Sequence, residues 1–110
     1  MPYAFIQDVP ANEQIYGQVR SKLGDDTPAG LIAHLVYKHE GGLRYIDVWD
    51  TQDDWERFRD ERVEPAVGEV LASFGIPHDH TQVTFENIDL VDTWLGRAPR
   101  DSDLTTDAAK

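Results

Sequence analysis

The chain has 110 residues, with 21 acidic against 10 basic side chains and a formal net charge of −11. That length is one domain with a small core, and that charge repels phosphate backbones and anionic lipid, which excludes nucleic acid and membrane surfaces as expected partners. The absence of cysteine excludes disulfides, thiol nucleophiles and cysteine-ligated metal sites.

Residues 2–9 hold apolar side chains in both registers, Tyr3, Phe5 and Val9 against Ala4 and Ile6, which predicts a strand buried on both faces. Pro10 breaks it and Asn12 supplies a cap. Ile15, Val19 and Leu23, with Tyr16 seven before Leu23, form one stripe of a helix over 12–23, closed by Gly24. Residues 31–38 are a strongly apolar strand. Glu40, Gly41 and Gly42 then turn the chain into a second strand over 43–49, a β-hairpin. Thr51, three residues before Asp54, caps the next helix, whose first turn is acidic. Helical spacing runs through Trp55, Phe58, Val63, Val67, Leu71 and Phe74, with a kink or a fresh start expected at Pro65. Residues 82–90 form a last strand, and the polar, aperiodic stretch from Gly96 to the end reads as a disordered tail. The domain therefore spans 1–95 and the tail 96–110. The opening residues carry no basic stretch and no apolar run approaches about 18 residues, so neither a signal peptide nor a membrane span is expected and the location is read as cytoplasmic.

The order β-α-β-β-α-β is the ferredoxin-like motif, an α+β fold with a four-stranded antiparallel sheet and two helices on one face. Two helices shield only one face. Leu31, Leu35 and Tyr37 point one way and Ile32 and Val36 the other, while Ile46 and Val48 oppose Tyr45 and Trp49. Each large side chain left in water forgoes about 1.5–3 kcal/mol of burial. A second copy packed on the open face, in a two-fold homodimer, meets that demand.

The stretch Asp47-Val48-Trp49-Asp50-Thr51, followed by Asp53-Asp54-Trp55-Glu56-Arg57-Phe58, resembles the dimeric α+β barrel superfamily. Within it the chain is similar to antibiotic-biosynthesis-monooxygenase-like proteins, and the run from Phe58 through Arg62 to Ala66 resembles small actinobacterial members. The resemblance covers about residues 2–92 and implies the barrel-forming dimer. It leaves the activity open, because the superfamily includes cofactor-independent quinol oxygenases, haem-degrading enzymes, lactone isomerases, polyketide cyclases and members without known chemistry. The haem-degrading branch uses an Asn on the first strand, a Trp on the second helix and an axial His. This chain has Gln7 or Asp8, Phe58 and Gly68 at those places, so haem is not expected.

His34 is the leading candidate for chemistry, an ionisable ring between Ala33 and Leu35 in the middle of a strand. A hairpin loop of two residues (Gly41 and Gly42) or four (39–42) sets it on the face of Tyr45, Asp47 and Trp49. A three-residue loop would turn it away. His34 as general base and Asp47 as its orienting acid would abstract a proton from an acidic C–H or phenolic O–H. Tyr37, Tyr45 and Trp49 would wall a pocket for an aromatic or polyketide-like molecule. No cofactor and no metal is expected. The alternative reading of the His34–Asp47 pair is a structural stitch in the sheet or the dimer, in which case the chain is a non-catalytic dimeric binding or stress-related module. His78, Asp79 and His80 lack a third imidazole at metal-ligand spacing and read as a solvated loop. Arg62 is a minor candidate for holding an anion. Pro2 is another, since loss of Met1 would expose the kind of N-terminal proline that resembles the base of the tautomerase superfamily.

Overall fold

A computed structural model describes residues 2–78 and 83–96. The expected disordered tail lies outside them apart from Gly96, and so do Asp79, His80 and Gln82. The elements are β1 (Tyr3–Val9), α1 (Glu13–Leu23), β2 (Leu31–His39), β3 (Gly42–Trp49), α2 (Gln52–Phe58), a π-helical turn (Arg59–Val63), α3 (Glu64–Ser73) and β4 (Thr84–Ile88). The strands form one antiparallel sheet in the order β2-β3-β1-β4. This is the expected ferredoxin-like arrangement, with the helical layer on one face.

Local chemistry sets the boundaries. The Asn12 side chain accepts the Ile15 backbone N–H at 2.8 Å, and Thr51 Oγ1 accepts that of Asp54 at 3.1 Å. Arg62 does not turn inward toward an anion. It donates to the Leu23 carbonyl at 2.6 Å, satisfying an orphan acceptor at the end of α1. The irregularity expected near Pro65 is a π turn. Proline has no N–H to offer the Glu61 carbonyl, and just upstream the Glu64 N–H reaches back five residues to Arg59.

The hairpin between β2 and β3 has a two-residue turn, set one residue earlier than the Gly41–Gly42 loop anticipated. His39 pairs with Gly42, leaving Glu40 and Gly41 in the turn at φ 47° and 82°. Positive φ at both central residues is the type I′ geometry, whose twist matches that of the flanking strands. Gly42 must be glycine for another reason: a Cβ there would run into the Val9 carbonyl. The resulting register pairs His34 with Asp47, the pairing the four-residue loop implied.

The helix-covered face carries Phe5, Asp47, Trp49 and His34. Its core is aromatic. Phe5 (0% exposed), Trp49 and Trp55 cluster with the half-buried Tyr3, Leu31, Phe58 and Val63 around them. Trp55 and Phe58 are thus packing residues, as their helical spacing suggests. The opposite face carries Ile6, Ile46, Val48, Leu35 and Tyr37, of which Leu35 is 60% and Tyr37 45% exposed. One expectation fails here. Leu31 does not share that open face with Leu35 and Tyr37, because a bulge between Leu31 and Ala33 shifts the register and turns Leu31 toward Trp49 and the core.

Candidate functional site

Between the sheet and the helical layer lies a cavity of about 910 Å³. The apolar stripe of α1, Ile15, Tyr16, Val19 and Leu23, lines it, and no residue of α1 is fully buried. The stripe therefore walls a space where a filled core would bury it. His34, Tyr45, Asp47 and Trp49 line the same cavity from the sheet.

Cross-strand pairing places the His34 Nδ1 atom 2.6 Å from Asp47 Oδ1. The Asp47 side chain is 6% exposed and that of His34 29%. Trp49 Nε1 donates to the other carboxylate oxygen, Asp47 Oδ2, at 3.1 Å, so both oxygens of the buried acid accept a hydrogen bond. Trp49 is 1% exposed and serves the site through that bond as well as through the cavity wall. On the far side of the imidazole, Tyr16 Oη lies 2.9 Å from His34 Nε2. The Tyr16 and His34 rings stack at 6.2 Å between centroids, and Tyr45 meets the His34 ring edge-on at 5.6 Å.

A carboxylate can only accept, so the neutral imidazole carries its proton on Nδ1 and offers its lone pair on Nε2. Tyr16 fills that lone pair with its hydroxyl. Burial pushes the Tyr45 phenol well above the ordinary tyrosine range, with the neighbouring Tyr16 and Asp47 adding to it. Tyr16 is raised as well, chiefly by burial and further by Asp47, with Arg20 opposing. Both phenols are therefore neutral near pH 7, and Tyr16 acts as a donor to His34.

The structure thus brings together His34, Asp47, Tyr45 and Trp49. Tyr37 is not with them. Side chains alternate along a strand, so a residue three positions from His34 faces the other way; Tyr37 pairs with Arg44 on the open face and is absent from the cavity lining. Sequence reasoning missed Tyr16, whose heptad spacing to Leu23 marked it only as part of a core stripe. Pro2 lines neither the main cavity nor the smaller one beside the hairpin. His78 lies 3.4 Å from Glu64 through Nε2, and no group of three ligating side chains among the described residues is placed to hold a metal ion. Among them, too, no helix is long and apolar enough to cross a membrane.

No protein-family model matches the chain, and no curated protein matches it. Solved structures do. A protein of unknown function from Nitrosomonas europaea, NE2512, superposes with a TM-score of 0.62 at 11% identity, over 88% of this chain and 96% of that one. A candidate antibiotic biosynthesis monooxygenase from Chloroflexus aurantiacus gives 0.56 at 12% identity, over 86% and 97%. Rv0793 from Mycobacterium tuberculosis gives 0.51 at 15% identity, over 84% and 98%. The likeness spans nearly the whole of each chain and establishes a shared fold, the one expected from the resemblance to antibiotic-biosynthesis-monooxygenase-like proteins.

Proposed function

We propose that this protein is a small cytoplasmic enzyme that abstracts a proton from an aromatic or polyketide-like molecule, with His34 as general base and Asp47 as its orienting acid. One observation carries the reading: a hydrogen-bonded imidazole–carboxylate pair at the wall of a cavity large enough for a multi-ring ligand. The buried carboxylate stabilises the imidazolium that forms when the base takes a proton. The product anion is delocalised over the ligand's rings. Such an anion is the species that cofactor-independent oxygenation would pass to dioxygen, and the fold shared with a candidate monooxygenase supports that line of chemistry.

The test uses 1,3-dihydroxynaphthalene, whose ring C–H positions exchange through its keto tautomer. In D₂O, followed by proton NMR, the wild-type protein is expected to accelerate exchange and His34→Asn to lose about 10²–10⁴-fold of that acceleration. Binding without accelerated exchange would favour the binding-module reading instead.

The active form in this proposal is a homodimer. The open sheet face presents Leu35 and Tyr37 largely to solvent, and beyond β4 Val91 and Trp94 are each 92% exposed. The charges on that face are partly neutralised, Arg44 holding Asp8 through two hydrogen bonds at 2.7 and 2.9 Å, so two copies of an acidic chain can meet there. Sedimentation at micromolar concentration is expected to give a dimer for the wild type and a folded monomer for Leu35→Asp. A monomeric wild type would overturn the assembly.

A further inference from the structure

We propose that Tyr16 is the residue through which His34 exchanges its proton with the bound molecule, so that the catalytic unit is a relay of Asp47, His34 and Tyr16. The inference rests on the proposed base chemistry and deepens it.

The geometry leaves little choice in this conformation. An imidazole that donates from Nδ1 to Asp47 has one lone pair left, at Nε2, and the Tyr16 hydroxyl occupies it at 2.9 Å. A ligand in the cavity cannot reach that lone pair while Tyr16 holds it. The phenol oxygen keeps its own lone pairs, and Tyr16 lines the cavity from α1. Its ring is held by the stacked His34 ring and by Tyr45, whose centroid is 5.6 Å away at a tilt of 56°.

The step balances as a double proton transfer. The acidic C–H or O–H bond of the ligand breaks and its electron pair stays on the ligand. The released proton forms a new O–H bond at Tyr16 Oη as the original Tyr16 proton passes to His34 Nε2. The products are a delocalised ligand anion, a neutral tyrosine and an imidazolium facing the Asp47 carboxylate. No electron leaves the system and no phenolate accumulates, in keeping with a phenol whose burial favours its neutral form. The return of the proton runs the same path backward.

The competing role for Tyr16 is that of a tether tying α1 to the sheet. Tyr16→Phe separates the two, because it keeps the ring and its packing and removes only the hydroxyl. In the exchange assay with 1,3-dihydroxynaphthalene, the relay predicts that Tyr16→Phe lowers the rate at saturating probe by about 10²-fold or more with little change in the half-saturating concentration. The double variant Tyr16→Phe/His34→Asn is expected to be no slower than the more damaged single variant, since both residues serve one path. Nitrogen-15 NMR of the unliganded protein adds a second readout: the His34 Nε2 resonance is expected to shift in Tyr16→Phe, and the Nδ1 resonance to hold. Exchange within about three-fold of wild type in Tyr16→Phe, beside a large loss in His34→Asn, would overturn the relay and leave His34 as the base that meets the ligand directly. Equal exchange by wild type and His34→Asn would overturn the base reading itself, and the relay with it.

Discussion

Phe5→Ala is expected to lower the unfolding free energy by about 3–5 kcal/mol, the range for deleting a fully buried aromatic side chain. Phe5 is 0% exposed at the centre of the core, with ring centroids 4.8 Å from Trp55 and 4.6 Å from Phe85. The first contact joins the sheet to α2 and the second joins β1 to β4. Truncation therefore loosens two junctions and leaves a void that the packed Trp49 and Trp55 rings fill only in part. A domain of this size has about 5–15 kcal/mol of stability to lose. Urea unfolding followed by tryptophan fluorescence would measure the effect, since Trp49 and Trp55 both belong to the cluster. A loss below about 1 kcal/mol would show that Phe5 is not the keystone of this core. Faster amide exchange in β4 should accompany the loss of stability.

Asp47→Asn is expected to reduce proton abstraction by about 10²-fold or more while the protein remains folded. The carboxylate accepts from two donors, His34 Nδ1 and Trp49 Nε1. An amide of the same shape offers one acceptor oxygen and one donor nitrogen, so one of the two partners meets a donor. If the oxygen stays with Trp49, the amide nitrogen forces His34 to accept at Nδ1 and carry its proton on Nε2. That tautomer reverses the hydrogen bond to Tyr16 and removes the base. If the oxygen turns to His34, Trp49 is left with an unpaired buried donor, at a cost of about 1–3 kcal/mol. The exchange assay reports the first outcome and urea unfolding the second. Full activity together with full stability in Asp47→Asn would contradict the role assigned to the pair.

The two elements of the sheet most legible in advance were the hairpin strands, because alternation of apolar residues and the glycines between them carry the signal locally. The turn itself was harder. Either loop length that put His34 on the helix-covered face was compatible with the residues, and the choice of Glu40 and Gly41 depended on a non-glycine residue accepting positive φ. Leu31 was misplaced because a bulge inserts one residue into the count and inverts every side chain before it. Tyr37 was misplaced through parity alone, since three steps along a strand reverse the face. For Tyr16 the local signal was real but incomplete: its spacing correctly set it on the inward stripe of α1, and nothing in that spacing says which strand residue waits across the gap. The π turn is an intermediate case. Pro65 announced a disturbance, whereas its form depended on how the carbonyls upstream found donors.

Short-range rules, helix caps, strand alternation and the placement of glycine and proline, were enough to determine the order of elements, the ferredoxin-like fold and the chance that His34 meets Asp47. Those rules act over a few residues and can be read along the chain. Only the tertiary structure decided that α1 stands off the sheet to leave a cavity and that its tyrosine closes on the imidazole, 18 residues away in sequence. Such a contact depends on how α1, which packs against α3 and the π-helical turn, is held over the sheet, and that follows from elements distant in sequence acting together.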